Sequence, residues 1–127
     1  MKKTIILFTL AIFSVSSYAQ NKAPKFSFVK ETISLGKIPQ GVPAMTTFEF
    51  KNEGLQPLII SEVKPTCGCT ATEFTKVPVK QGQKGFIKVN YNAATFGPFN
   101  KTITIISNST EPSKVITLTG EVLKKGK

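Results

Sequence analysis

Apolar residues in this chain recur at every second position, in short runs, over most of its length. Phe26 and Phe28 are two apart, as are Ile33 and Leu35, Phe48 and Phe50, and Leu58 and Ile60. Ile87, Val89 and Tyr91 continue the pattern, followed by Ile103 and Ile105 and by Ile116 and Leu118. A period of two places alternate side chains on one face of an extended strand, whereas a helix needs spacings of three and four. No window offers the helical spacing. Val, Ile and Thr, whose branched Cβ suits a pleated surface, are frequent throughout. Turn-forming residues separate the runs at Gly36, Pro39-Gln40-Gly41, Asn52-Glu53-Gly54, Gln81-Gly82, Phe96-Gly97-Pro98 and Asn108 to Pro112. The spacing predicts strands near 25–29, 32–38, 44–51, 57–63, 69–75, 85–91 and 100–107, with an eighth at 114–122. Strands at such short intervals leave no room for crossover helices, so an all-β antiparallel sandwich of seven to eight strands is expected.

The start of the chain follows a different rule. Lys2 and Lys3 precede an apolar run from Ile5 to Val15 broken only by Thr9 and Ser14, and Ser17-Tyr18-Ala19 puts small residues at the two cleavage-site positions. We read residues 1–19 as a signal peptide and 20–127 as a single domain with a short basic C-terminal tail. The apolar run is too short to cross a bilayer comfortably, and Gln20 at the junction is not a lipid-accepting cysteine. The expected product is exported, periplasmic or secreted, with no membrane span after cleavage.

Seventeen lysines against seven glutamates give a formal net charge of +10. That excess could point to nucleic acid, but the fifteen lysines after residue 19 are scattered singly apart from Lys124, Lys125 and Lys127, and no arginine is present for bidentate contacts to phosphate or guanine. We expect no nucleic-acid partner; single lysines on solvent faces and strand edges keep a sheet protein soluble.

Composition also removes most catalytic arrangements. The chain has no His, Asp, Arg or Trp, so nucleophilic triads lack their base and zinc-hydrolase motifs lack their imidazoles. The seven glutamates are spread out and form no evident acid/base pair. No enzyme activity, catalytic residue or cofactor is expected. What remains is sulfur: Cys67 and Cys69, within Lys64-Pro65-Thr66-Cys67-Gly68-Cys69-Thr70.

Three readings of that pair stay open. On a regular strand the two Cα atoms would lie about 6.6–6.8 Å apart, at the upper limit for a disulfide, so bonding needs the bend that Gly68 permits. So short a loop yields little cross-link entropy, which makes a strained, readily reduced bond a better reading than a stabilising one. Two thiolates also suit Cu(I), whereas a zinc site would need four ligands and therefore two chains. The third reading is plain packing of two small residues at a strand start. If the pair is reactive, Cys67 is expected at the exposed mouth of the loop, lifted there by the Pro65 bend and near the Lys64 ammonium. Cys69 should lean into the sheet.

Phe48-Glu49-Phe50-Lys51-Asn52-Glu53-Gly54 followed by Pro57-Leu58-Ile59-Ile60 resembles the second and third strands of immunoglobulin-like domains of the ASH and major-sperm-protein type. Gly82, the run Phe86–Tyr91, Gly97 to Phe99, Ser107-Asn108 and Leu118-Thr119-Gly120 fit the same template over residues 26–122. Pro65-Thr66-Cys67-Gly68-Cys69-Thr70 is similar to a segment of an uncharacterised bacterial family, frequent in Bacteroidetes, whose members carry Cys-Gly-Cys-Thr after the third strand. The resemblance implies an immunoglobulin-like fold and an exported location, and brings no established reaction. The functional expectation is a non-catalytic interaction module of the cell envelope with a redox-labile Cys67/Cys69 pair. Its partner would be an envelope protein, thioredoxin-like proteins being one candidate. The alternative is a handler of Cu(I) or another soft metal through the same two residues. Intact mass of the exported protein is expected to correspond to a chain beginning at Gln20; a mass that retains residues 1–19 would overturn the leader assignment.

Overall fold

Period-two alternation becomes eight strands and no helix over residues 22–125, the part of the chain that the computed structural model describes. Residues 1–21, and with them the expected leader and its Ala19–Gln20 junction, lie outside the described residues, as do Gly126 and Lys127. No helix among the described residues is long and apolar enough to cross a membrane. The strands are β1 (Phe26–Phe28), β2 (Thr32–Pro39), β3 (Ala44–Asn52), β4 (Ile60–Pro65), β5 (Cys69–Phe74), β6 (Lys84–Tyr91), β7 (Gly97–Ser107) and β8 (Ser113–Leu123).

They form two four-stranded sheets, ordered β1-β3-β6-β5 and β2-β8-β7-β4. The first is antiparallel throughout. In the second, β4, β7 and β8 are antiparallel, but β2 runs parallel to β8 from Thr32 opposite Thr117 to Pro39 opposite Leu123. The expected antiparallel sandwich of seven to eight strands is thus present, with one parallel pairing at an edge. The hairpin with β7 sets the direction of β8, while β2 joins from the far side on its way to β3 in the other sheet, so no tight turn links β2 to β8.

Two strand boundaries also differ from expectation. The fourth strand begins at Ile60 rather than 57, because Leu58 bridges Val79 instead, its amide donating at 2.9 Å and its carbonyl accepting at 2.8 Å. Phe96-Gly97-Pro98, read as a turn, instead opens β7: Gly97 and Pro98 pair with Val122 and Glu121. Proline is tolerated there because β4 pairs with β7 only as far as Ile103, which leaves the start of β7 without a strand on that side.

The inward residues meet between the sheets. Phe48, Phe50, Ile87, Val89 and Tyr91 from one face Ile103, Ile105, Ile116, Leu118 and Val122 from the other, and all are buried. Full burial of each large aliphatic side chain contributes about 1.5–3 kcal/mol. Phe50 lies over Gly85, its cross-strand partner, where any Cβ would collide with the ring. Phe26 packs edge-on against the same ring at 4.9 Å, which closes the sheet beside the short strand β1.

Asn52 occupies the next inward position of β3 after Phe50 and is fully buried. Its Oδ1 accepts from the amides of Lys25 (3.1 Å) and Gly54 (2.9 Å), and its Nδ2 donates to the carbonyls of Gln56 (2.7 Å) and Val79 (2.8 Å). One side chain thus binds four backbone groups from three chain segments at one end of the sandwich. Asn52→Ala is expected to cost about 3 kcal/mol or more, because it strands backbone groups away from water. Urea unfolding is the measurement, and a loss within about 0.5 kcal/mol, typical of a surface change, would overturn the assignment.

Candidate functional site

Both cysteines lie at the opposite end, where the chain crosses from β4 in one sheet to β5 in the other. The crossing is a four-residue turn, Thr66-Cys67-Gly68-Cys69, closed by the Cys69 amide donating to the Thr66 carbonyl at 3.0 Å. Gly68 takes φ +91° in its third position, the left-handed backbone that a type II turn demands there. A side chain at Gly68 would also meet the Tyr91 ring, 3.2 Å from an added Cβ.

Hydrogen bonds to both sheets hold this turn. Thr66 donates to the Thr102 carbonyl through its amide (3.1 Å) and its Oγ1 (2.9 Å), and Oγ1 accepts from the Thr102 amide at 3.2 Å, so β7 grips one side. The Asn92 amide, just past β6, donates to the Gly68 carbonyl at 3.0 Å and grips the other. Cys67 therefore projects from a fixed backbone.

The structure places Cys67 in solvent and Cys69 in the interior, both as thiols. Cys69 stands opposite Tyr91 on β6 and joins the core cluster. Burial pushes the Cys69 thiol above its ordinary value; the Lys101 ammonium opposes that rise, and Cys67 adds to it. The cation that bears on Cys69 is thus Lys101 of β7. Lys64, expected near Cys67 from sequence adjacency, is exposed on β4 and lies 3.7 Å from Glu62.

A cavity of about 430 Å³ opens beside Cys67, walled by Tyr91, Phe96, Pro98, Phe99 and Lys101. The Tyr91 and Phe99 rings pack at 4.3 Å between centroids. Phe96 is 59 % exposed, with the Lys124 ammonium 5.8 Å from its ring centroid. Burial, and secondarily Cys69, raise the Tyr91 phenol above its ordinary value. The rim is tied down: Gln40 donates through Nε2 to the Ala94 carbonyl at 3.0 Å and receives the Lys125 amide on Oε1 at 3.4 Å. No group of three or more His, Cys, Asp or Glu side chains stands together as a metal site among the described residues. Sequence reading missed these groove residues because they lie more than twenty positions from the cysteines. The signal that could have found them was the aromatic spacing of Phe96 and Phe99 around Gly97-Pro98, which was read as a turn.

A profile of the family described as "Protein of unknown function (DUF1573)" matches residues 26–122, from β1 into β8. The chain belongs to that family. No curated protein matches it. Among solved structures, a protein of unknown function from Porphyromonas gingivalis W83 superposes with a TM-score of 0.69 at 17 % identity, over 86 % of this chain and 51 % of that one. The chain therefore spans about half the length of that protein. The ASH/PapD-like domain 7 of human CEP192 gives a TM-score of 0.64 at 10 % identity, over 88 % of this chain and 94 % of that one. WR4, an MSP family member from C. elegans, gives 0.50 at 12 % identity, over 77 % and 97 %. The fold of this DUF1573 chain is accordingly the immunoglobulin-like sandwich of the ASH and MSP type.

The raised Cys69 thiol has a consequence for alkaline stability. Below its ordinary value of 9.0, folded and unfolded chains both keep the proton. Above it the unfolded chain ionises first, so the native state loses stability as pH climbs towards the raised folded value. Urea midpoints of Cys69→Ser are expected to fall less than those of the unaltered protein between about pH 8 and about pH 10. Parallel curves would show that burial does not hold this thiol neutral.

Proposed function

We propose that this DUF1573 chain is an exported, non-catalytic interaction module of the cell envelope, and that its Cys67/Cys69 corner exchanges disulfides with a partner protein. A thioredoxin-like thiol protein is the partner class that fits this chemistry. The observation that carries the reading is an exposed sulfur on a hydrogen-bonded turn, with a second, buried sulfur two positions along. An incoming disulfide can reach Cys67 without unfolding. Its thiolate attacks one sulfur of the partner's disulfide, the S–S bond breaks, and the other partner sulfur leaves as a thiolate. Cys69, once deprotonated, then attacks the Cys67 sulfur, forming Cys67–Cys69 and releasing the partner as a dithiol. Both electrons lost by the pair reduce the partner's disulfide, and the same steps reversed return them.

The absence of His and Asp from the sequence supports a binding role rather than turnover, since it leaves only Glu, Lys, Tyr and Cys as candidate bases. Soft-metal binding through the same sulfurs is the less favoured reading. No third His, Cys, Asp or Glu stands with the two sulfurs to complete a ligand set among the described residues.

Brief alkylation of the reduced, folded protein followed by peptide mapping tests the proposal. Cys67 is expected to be labelled first, and the double variant Cys67→Ser with Cys69→Ser is expected to lose less than about 2 kcal/mol, because the loop is so short. Preferential labelling of Cys69, or no labelling of either thiol in the folded state, would retire the exchange reading. Failure of the double variant to fold would make the pair a packing element.

A further inference from the structure

Taking the exchange reading as its base, we infer that the groove beside Cys67 recognises the cysteine-bearing segment of the partner through a carboxylate and an apolar side chain next to the reacting sulfur. The cavity, about 430 Å³, is of the size that accepts a small ligand or a few residues of an extended peptide. Its apolar wall is Phe96, Pro98 and Phe99, and the exposure of Phe96 leaves an aromatic face uncovered at the rim. Lys101 lines the cavity and Lys124 stands over Phe96, while none of the lining residues is acidic. A carboxylate entering here meets Lys101 and no acid among the lining residues, the nearest strand carboxylate being Glu121 opposite Pro98 on β8, within a chain of net charge +10. Tyr91, almost wholly buried, lines the same cavity. Cys67 sits on the cavity wall, so a bound segment would present its own sulfur to the thiolate. In the exchange, the Cys67 thiolate attacks the segment's sulfur and the group bonded to that sulfur departs with the electron pair.

Two blocked tripeptides, Glu-Cys-Phe and Lys-Cys-Phe, each as its 2-thiopyridyl mixed disulfide, serve as probes. Thione release is followed in a Cys69→Ser background so that Cys67 alone reports. The Glu peptide is expected to react about fivefold faster than the Lys peptide, the size of a favourable exposed charge pair. Lys101→Gln should abolish the preference, Lys101→Arg should keep it, and Phe96→Ala should slow the Glu peptide. Equal rates for the two peptides would overturn the recognition while leaving exchange at Cys67 standing. A second arm removes the chemistry: the S-methylated Glu peptide is titrated into the Cys67→Ser protein and followed by NMR. Shifts confined to Tyr91, Phe96, Phe99 and Lys101 are expected. Shifts here with no thione release above would keep the cleft and discard the exchange, and no shifts at millimolar peptide would discard the cleft.

Discussion

The buried amide of Asn52 ties one end of this sandwich together. Lys25 before β1, Gly54 and Gln56 in the loop after β3, and Val79 before β6 all end their backbone polarity on that one side chain. Loops at the end of a sandwich normally hand their amides and carbonyls to water. Here they fold over the core, and an unpaired group beneath them would cost about 1–3 kcal/mol. With Asn52 in place, Leu58 and Val79 can bridge each other and both become core residues. Shape follows from the same constraint: Gly54 has no room for a Cβ against the backbone of Ala23 and Pro24.

At the other end the sandwich is held differently and stays open. The turn carrying Cys67 is bonded through Thr66 to β7 and through Gly68 to the end of β6. This arrangement exposes a sulfur without giving it a mobile loop. It also sets the two thiols in different surroundings, Cys67 in water and Cys69 against Tyr91 in the core. Two residues in one short turn thereby acquire different chemistry, which a regular strand with both side chains on one face could not provide.

Charge plays a secondary part in stability. Lys114 is the one lysine strongly engaged, 2.7 Å from Glu31 and 3.1 Å from Glu111, and these partners raise its ammonium above the ordinary value. Lys88 with Glu73 at 3.2 Å is largely exposed, and such pairs contribute at most about 1 kcal/mol. The remaining positive charge is free to act on what approaches the surface. Around the groove it is not balanced by any lining acid.

The sequence by itself determined the strand content, because a period of two is a local property of side-chain direction that survives in any sheet. It also determined that no His or Asp can take part in any chemistry of this chain, and that its only sulfur nucleophiles are Cys67 and Cys69. Asn52 shows the limit of that reading: as part of Asn-Glu-Gly it reads as a turn, although its place two residues after Phe50 already put it on the inward face. The tertiary structure decided what depends on residues distant in the chain. The parallel pairing of β2 with β8, the move of Gly97 and Pro98 from turn to strand, the approach of Lys101 to Cys69 and the aromatic groove all arise where two sheets meet. Electrostatic and packing neighbours are set by distances in space, and chain order carries no sign that Lys101 of β7 acts on Cys69.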